Sequence, residues 1–364
     1  MRILAFGTYQ AANHPRVTVL VEGLRARGHR VVEANVPLGL STRDRVAMLG
    51  SRTGAVRMAV RLLSSWSRLA VRALRVRAAG RPDALLVGYM GHFDVWLARA
   101  LFPRTTIVLD HLIFAADTAA DRGVGGGVVQ RALRWLDRAA LTIADVIVLD
   151  TEEHRDLVPA ALRSKAVVVP VGAPAEWSAV EPAPEPGDGP VRVVFFGLFT
   201  PLQGAAVIGH ALAGLPEGLV EVSMIGSGQD LDATRAAVGD RPDVTWTPWV
   251  EAADLPSVVA AHHVGLGVFG TTDKALRVVP NKVYQCAAAG TAIVTSDTPP
   301  QRRMLGEDAL FVPPGDADAL GAALRGLAED RDRLAALRRA ARSRAAGFRP
   351  AAVVAPLEER LARR

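Results

Sequence analysis

Three lysines stand in a chain that otherwise carries its positive charge on arginine: Lys165, Lys274 and Lys282, against 43 − 3 = 40 arginines. Two of the three fall in Thr271–Asp297, which reads TTDKALRVVPNKVYQCAAAGTAIVTSD. Lysine is a compact ammonium point charge, whereas arginine is a wide planar fork. A tight pocket around a phosphate is one place where that difference matters. Pro280 suits the first turn of a helix. Lys274, Arg277 and Lys282 would then gather positive charge at a helix N-terminus, where a diphosphate is stabilised. Beside the lysine stands Asn281, and Gln285 offers an amide to hydroxyl groups, while Ala287–Gly290 are small enough for close packing.

Two further loops follow strands and carry glycine. In the first, Phe196-Gly-Leu-Phe-Thr-Pro-Leu-Gln-Gly204, Gly197 lets the backbone approach a ligand, and Gly204 opens a helix whose N–H groups favour an anion. Thr200 lies between them. The second loop contains Gly226 and Gly228, and its GSGQDL does not match the G-x-G-x-x-G dinucleotide fingerprint, which argues against a hydride-transferring dehydrogenase.

Polar residues at strand ends in the first half are candidates to meet a second ligand: Gly7, Tyr9, His14, Tyr89, His92, Asp110, His111 and Asp117. A carboxylate or imidazole there can take a proton from a bound hydroxyl within hydrogen-bond reach. The structural alternatives are a helix N-cap for Asp110 and a hydrogen-bonded loop histidine for His111. Adjacent His262 and His263 point different ways on a helix and chelate one metal poorly, so they read as structural. Without a D-x-D sequence or a cysteine cluster (Cys286 is alone), no metal and no resident cofactor is expected.

These groups must be held by a scaffold. Short apolar strands alternate with amphipathic helices, the pattern of βαβ units with parallel sheets. Expected strands begin at Ile3–Phe6, Arg30–Ala34, Ala84–Val87, Thr106–Leu109, Val146–Leu149 and Ala166–Val169. After Glu181–Pro190, EPAPEPGDGP, the alternation restarts with Val191–Phe196. Its prolines and glycines cannot continue a regular element. The expectation is an α/β protein of two facing doubly wound, Rossmann-like domains: residues 1–180, a linker at 181–190, residues 191–346, and a returning helix at 347–364. A ligand is expected in the cleft between the two.

With 364 residues, half of them apolar, the chain can build two cores. Arg, Asp, Gly or Pro interrupts every apolar run, and the N-terminus lacks a signal-peptide pattern, so a cytoplasmic location is expected. The pI of about 10.1 accompanies a net charge of only +6 with dispersed arginines, and no aromatic-interleaved basic platform appears. No nucleic-acid partner is therefore expected. One long helix, Arg52–Arg77, carries a basic face from Arg57 to Arg75, with Val60, Leu63, Trp66 and Leu74 as apolar positions. The periodicity favours a solvated face on a packed helix; the other reading is weak docking to the inner membrane surface. Gln130–Arg138 reads the same way.

The stretch PNKVYQCAAAGTAIVTSDTPPQRRML, followed by FVPPGDADALGAAL, resembles the nucleotide-sugar half of glycosyltransferase family 4. VVFFGLFTPLQG is similar to that family's first loop in this half, and WTPWVEAADL, with Trp249 and Val250, to its base-binding turn. In the first half, RPDALLVGYMGHFDVWLARA, VLDHLIFAADTAADRG and ADVIVLDTEEH resemble a bacterial branch. The resemblance implies a GT-B fold and a retaining, metal-independent transferase. Such an enzyme moves a sugar from a nucleoside diphosphate sugar to a hydroxyl or amine of a small-molecule, lipid-linked or saccharide acceptor, as in natural-product or polysaccharide assembly. It also implies that Lys282 and Arg277 stabilise the leaving diphosphate and that Asp110 or His111 serves the acceptor. Leu198 and Gln203 stand where many members have Arg and Lys, and the family's paired glutamates fall on Arg277 and Gln285. Two alternatives share the fold: a nucleotide-sugar 2-epimerase, and a non-catalytic nucleotide-sugar-binding partner.

Overall fold

The computed structural model describes residues 1–10, 15–39, 52–123, 126–185 and 187–363. His14 lies outside the described residues. The chain divides into two units, Met1–Pro170 with Val353–Arg364, and Val171–Ala352.

The first unit holds a six-stranded sheet of β1 (Arg2–Gly7), β2 (Arg30–Asn35), β3 (Ala84–Val87), β4 (Thr106–Asp110), β5 (Val146–Leu149) and β6 (Ala166–Val168). Its spatial order is β2-β1-β3-β4-β5-β6, and every pairing is parallel. The central strands read ALLV, TIVLD and VIVL because both faces are covered. On one face, α1 (Pro15–Ala26) contributes Val17, Leu20 and Leu24 to the core, and α9 (Ala355–Ala362), from the far end of the chain, adds Leu357 and Leu361. The other face is covered by α2 (Arg52–Ala78), α3 (Asp94–Leu101) and α5 (Gly127–Ile143), through Leu69, Ala73, Val95, Ala98, Ala140 and Leu141. A short helix, α4 (Ala115–Asp121), follows β4.

The second unit repeats the plan with β7 (Val191–Phe196), β8 (Val220–Ile225), β9 (Val244–Thr247), β10 (Val264–Leu266), β11 (Ala292–Ser296) and β12 (Leu310–Val312). The spatial order is β12-β11-β10-β7-β8-β9, again all parallel. Counted within the unit, this is the 3-2-1-4-5-6 order of a Rossmann sheet, whose order reverses between β7 and β10. Helix α6 (Ala205–Ala213) follows the β7 loop, α7 (Asn281–Ala289) lies between β10 and β11, and α8 (Arg331–Arg344) packs against α7.

The expected linker does not join the units. Residues 171–185 belong to the second: Trp177 stacks on Phe196, Ala173 N–H donates to Phe348 O, and Ala183 N–H donates to Ala260 O. Arg338 of α8 donates to the carbonyls of Ala183 and Pro184 and reaches Glu185 at 3.2 Å. The proline-rich segment is thus a strap tied down by one buried guanidinium. The chain changes units at Pro170–Val171 and again at Ala352–Val353. Among the described residues no helix is long and apolar enough to cross a membrane.

Candidate functional site

In an open α/β sheet, ligands meet the carboxyl ends of the strands where the order reverses. In the second unit that point lies between β7 and β10. The loops after β7, β8 and β10 interlock there. Gly197 N–H donates to Ile225 O, Phe199 N–H to Ser227 O and Gly226 N–H to Thr247 O, all within 3.0 Å. A Cβ on Gly226 would stand 1.9 Å from Gly197 O, and one on Gly228 would stand 2.2 Å from Phe199 O. At Gly204, which takes φ 62° as the residue before α6, it would stand 2.4 Å from the backbone of Phe269 and Gly270. Gly204, Gly226 and Gly228 are therefore required by loop-on-loop packing.

Gly197 differs. Its φ is 135°, and an added Cβ would lie 3.4 Å from Lys282 Nζ. Lys282 sits in the first turn of α7, after Pro280 in extended conformation. It is 5% exposed, and its Nζ has no hydrogen-bond partner; the ammonium lies 3.7 Å from the Phe195 ring centroid. Burial pulls its pKa down to about 7. An amine set against an aromatic face beside a bare glycine backbone, at the switch point, can receive an anion. Gln285 lies three residues on, hence on the same helical face, and is 8% exposed.

The other expected cations are placed differently. Arg277 faces Asp273 at 4.0 Å, and Lys274 leads into the short turn Ala275–Arg277. Asn281 is the first residue of α7. Thr200 O accepts from Gln203 N–H and opens the turn Pro201–Gln203. Trp249 is 65% exposed, with Nε1 donating to Glu251, and Val250 is half-buried beside it.

In the first unit the acceptor-side candidates collect at the C-terminal ends of β1, β3 and β4, and most are buried. Asp110 is not an N-cap. It ends β4 and accepts from Arg16 Nε at 3.1 Å, both side chains being almost wholly enclosed. Burial pushes its carboxyl above the ordinary value, and Arg16 works against that shift. Of the two acceptor-side candidates Asp110 and His111, Asp110 is thus held in a buried ion pair. The Nε2 of His111 has no hydrogen-bond partner, its ring packs edge-on to Phe114 at 4.6 Å, and its pKa is lowered to about 3 by burial and by His92. It is therefore a neutral imidazole.

His92 Nε2 and Asp137 Oδ1 are 2.9 Å apart, and Asp137 also accepts from the N–H groups of Ala115 and Ala116, closing the N-terminus of α4. Burial works against ionisation of Asp137, yet the His92 and Ala115 hydrogen bonds hold its carboxyl below the ordinary value. His92, His111 and Asp137 bring one ligating atom each within 4.8 Å of one another. Asp137 is already committed to three donors, which fits a hydrogen-bonded network.

Tyr9 and Tyr89 are core residues, 1% and 7% exposed. The Tyr9 ring fills the space where Gly88 would carry a Cβ, 2.5 Å from its Cδ1. Beside it Gly7 ends β1, and the next residue, Thr8, donates both N–H and hydroxyl to Asp94 Oδ2. Asp117 is half-buried in the first turn of α4.

Residues 190–330 match the family model Glycosyl transferases group 1. This glycosyltransferase match covers the interlocked loops and Lys282. Over 190 residues the chain is 34% identical to phosphatidyl-myo-inositol mannosyltransferase of Mycolicibacterium smegmatis, covering 47% of this chain and 45% of that one. It thus spans about half the length of the curated relative it matches. In fold it is similar to sucrose-phosphate synthase from Thermosynechococcus elongatus (TM-score 0.67, 15% identity, 100% of this chain and 96% of the other). It is similar also to Anabaena HepE in complex with UDP and glucose (TM-score 0.69, 14% identity, 100% of both chains). The fold is that of the GT-B glycosyltransferases, with two Rossmann-like units.

Arg16 and Asp137 escaped the sequence reading. Asp137 did leave a signal, since it is the one acid among Arg131, Arg134 and Arg138 on an otherwise basic helix. Arg16 left none, because a helix-opening arginine looks like any surface residue. His262 and His263 are hydrogen-bonded to Val258 O and Ser223, and to Arg192, as structural histidines are.

Proposed function

We propose that this protein transfers a sugar from a nucleoside diphosphate sugar to a hydroxyl group, with retention of configuration. The observation that carries the reading is Lys282: a buried ammonium without a hydrogen-bond partner, 3.4 Å from where Gly197 would carry a Cβ. Bond cleavage at the sugar leaves negative charge on the diphosphate, and a preorganised cation stabilises charge that develops in the transition state. The bare Gly197 backbone gives the phosphate room to come within reach, Gln285 stands on the same face for a donor hydroxyl, and Arg277 adds charge nearby. Support for a nucleotide-sugar donor comes from HepE, whose structure is a complex with UDP and glucose, and from the mannosyltransferase relative. Retention and the acceptor's hydroxyl come from the family resemblance. On the acceptor side His111, a neutral imidazole with Nε2 uncommitted, is the group to hydrogen-bond the acceptor hydroxyl.

The test is release of nucleoside diphosphate from a panel of nucleotide sugars, with the anomeric configuration of the product read by NMR. Lys282→Met should lower kcat roughly 10²–10³-fold. Turnover equal to that of the unaltered protein would remove the basis of the reading. Tight nucleotide binding without turnover on any donor or acceptor would instead favour a binding partner.

A further inference from the structure

Helix α2 has three faces. Met58, Trp66, Leu69 and Ala73 turn inward, where Trp66 Nε1 also donates to Asp94 Oδ1 of α3. Arg57, Arg61, Arg68, Arg72 and Arg75 form a second stripe. The third is apolar and faces solvent. Val56, Val60, Leu63, Val71 and Leu74 recur at intervals of four, three, eight and three residues, which keeps them on one side of a helix of 3.6 residues per turn. Val56, Val60 and Leu63 are 64%, 62% and 63% exposed. This departs from the sequence reading, in which Val60, Leu63 and Leu74 face the domain.

The same arrangement recurs next door. On α5, Leu133, Asp137 and Ala140 face inward, while Val128 and Trp135, seven residues apart, are 72% and 65% exposed. Arg131, Arg134 and Arg138 surround Trp135. Between these helices α3 presents Trp96, also exposed. All three cover one face of the first unit's sheet. Neither α2 nor α5 carries an exposed acid among the described residues.

We propose that the outer surface of α2, α3 and α5 docks the protein on a bilayer that contains anionic lipid. Isolated apolar residues on a protein surface are ordinary, but a helical stripe of them beside arginines and exposed indoles is the composition of a helix lying in a membrane interface. Arginine neutralises lipid phosphate, valine and leucine enter the acyl boundary, and tryptophan settles at headgroup level. A second copy fits worse, because a two-fold contact would set arginine against arginine. The surface is independent of the donor site, and it favours an acceptor anchored in the same membrane.

The test is co-flotation of the full chain with vesicles of phosphatidylcholine alone and of phosphatidylcholine mixed with phosphatidylglycerol, at low and high salt. Thermal unfolding is run on every variant as a fold control, and calorimetric titration with nucleoside diphosphate as a check of the donor site. The protein should float with the anionic vesicles, be released by salt, and stay behind with neutral ones. Leu63→Ser/Trp135→Ser and Arg57→Ser/Arg61→Ser should each weaken partitioning roughly tenfold or more and leave nucleotide binding unchanged. The proposal is overturned if the protein ignores anionic vesicles at low salt, or if both double variants float as it does. It is equally overturned if light scattering shows a dimer that Leu63→Ser dissolves while no vesicle binding appears. Absence of nucleotide binding with flotation intact would count against the transferase reading alone.

Discussion

The Nζ of Lys282 lies 3.7 Å from the centre of the Phe195 ring, and no hydrogen-bond acceptor reaches it. A ring face is a weak substitute for water or a carboxylate, so burial lowers the ammonium's pKa from 10.5 to about 7. Between those values the unfolded chain binds a proton that the folded one lacks, so stability rises with pH across the window. A bound diphosphate restores the charge. Calorimetry at about pH 8 in buffers of different ionisation enthalpy should show proton uptake on nucleotide binding, with affinity falling as pH climbs through the lysine's titration. Lys282→Met should abolish both the uptake and the stability slope.

Asp110 and Arg16 form an ion pair with almost no exposure. Removing one partner strands a buried charge, so Asp110→Asn or Arg16→Met should each cost about 3–5 kcal/mol in urea unfolding. Removing both, as Arg16→Met/Asp110→Leu, should recover much of that loss. If the double variant is as unstable as the sum of the singles, the pair is not the unit described here.

His111 and His92 sit with ring centroids 4.9 Å apart but should separate cleanly in assays. His111→Ala is expected to reduce turnover roughly tenfold, the worth of one hydrogen bond to the acceptor. His92→Ala, which removes a donor to ionised Asp137, should instead lower stability by about 1.5–3 kcal/mol. Equal loss of turnover in both, at unchanged stability, would contradict this division.

Gly228→Ala would push a methyl carbon to 2.2 Å from Phe199 O, and Gly204→Ala would meet the Phe269 backbone at 2.4 Å. Each should cost roughly 1–3 kcal/mol, measured by thermal unfolding. Gly197→Ala meets no backbone; it crowds Lys282 Nζ and takes an unfavourable φ, so nucleotide affinity should fall more than its stability change alone accounts for.

The strands were legible because both sheets bury both faces. Runs such as ALLV, VIVL and VVFF allow no other reading, and their observed limits at Ala84–Val87, Val146–Leu149 and Val191–Phe196 are those expected. The helix-terminal place of Lys282 was legible for the opposite reason, as a rare residue beside a helix-opening proline. What stayed hidden depends on three-dimensional neighbours. EPAPEPGDGP looks like a free linker until Arg338, about 155 residues away, is seen to hold its carbonyls. Asp110 looks like a cap until Arg16, 94 residues earlier, is found against it. The glycines of the loops after β7 and β8 could not be assigned from spacing, because it is the neighbouring loop that makes a side chain impossible. On α2 both stripes were visible as periodicity, but which one faces the sheet is decided by packing.

Val353, Val354, Leu357 and Leu361 complete the core of the unit that begins at Met1. During synthesis that unit stays unfinished until some 180 intervening residues have been made, whereas 171–352 is continuous and can close by itself. The segment after Ala352 thus sets the tempo: residues 171–352 should mature first on the ribosome, and the first unit should need protection until the helix Ala355–Ala362 arrives.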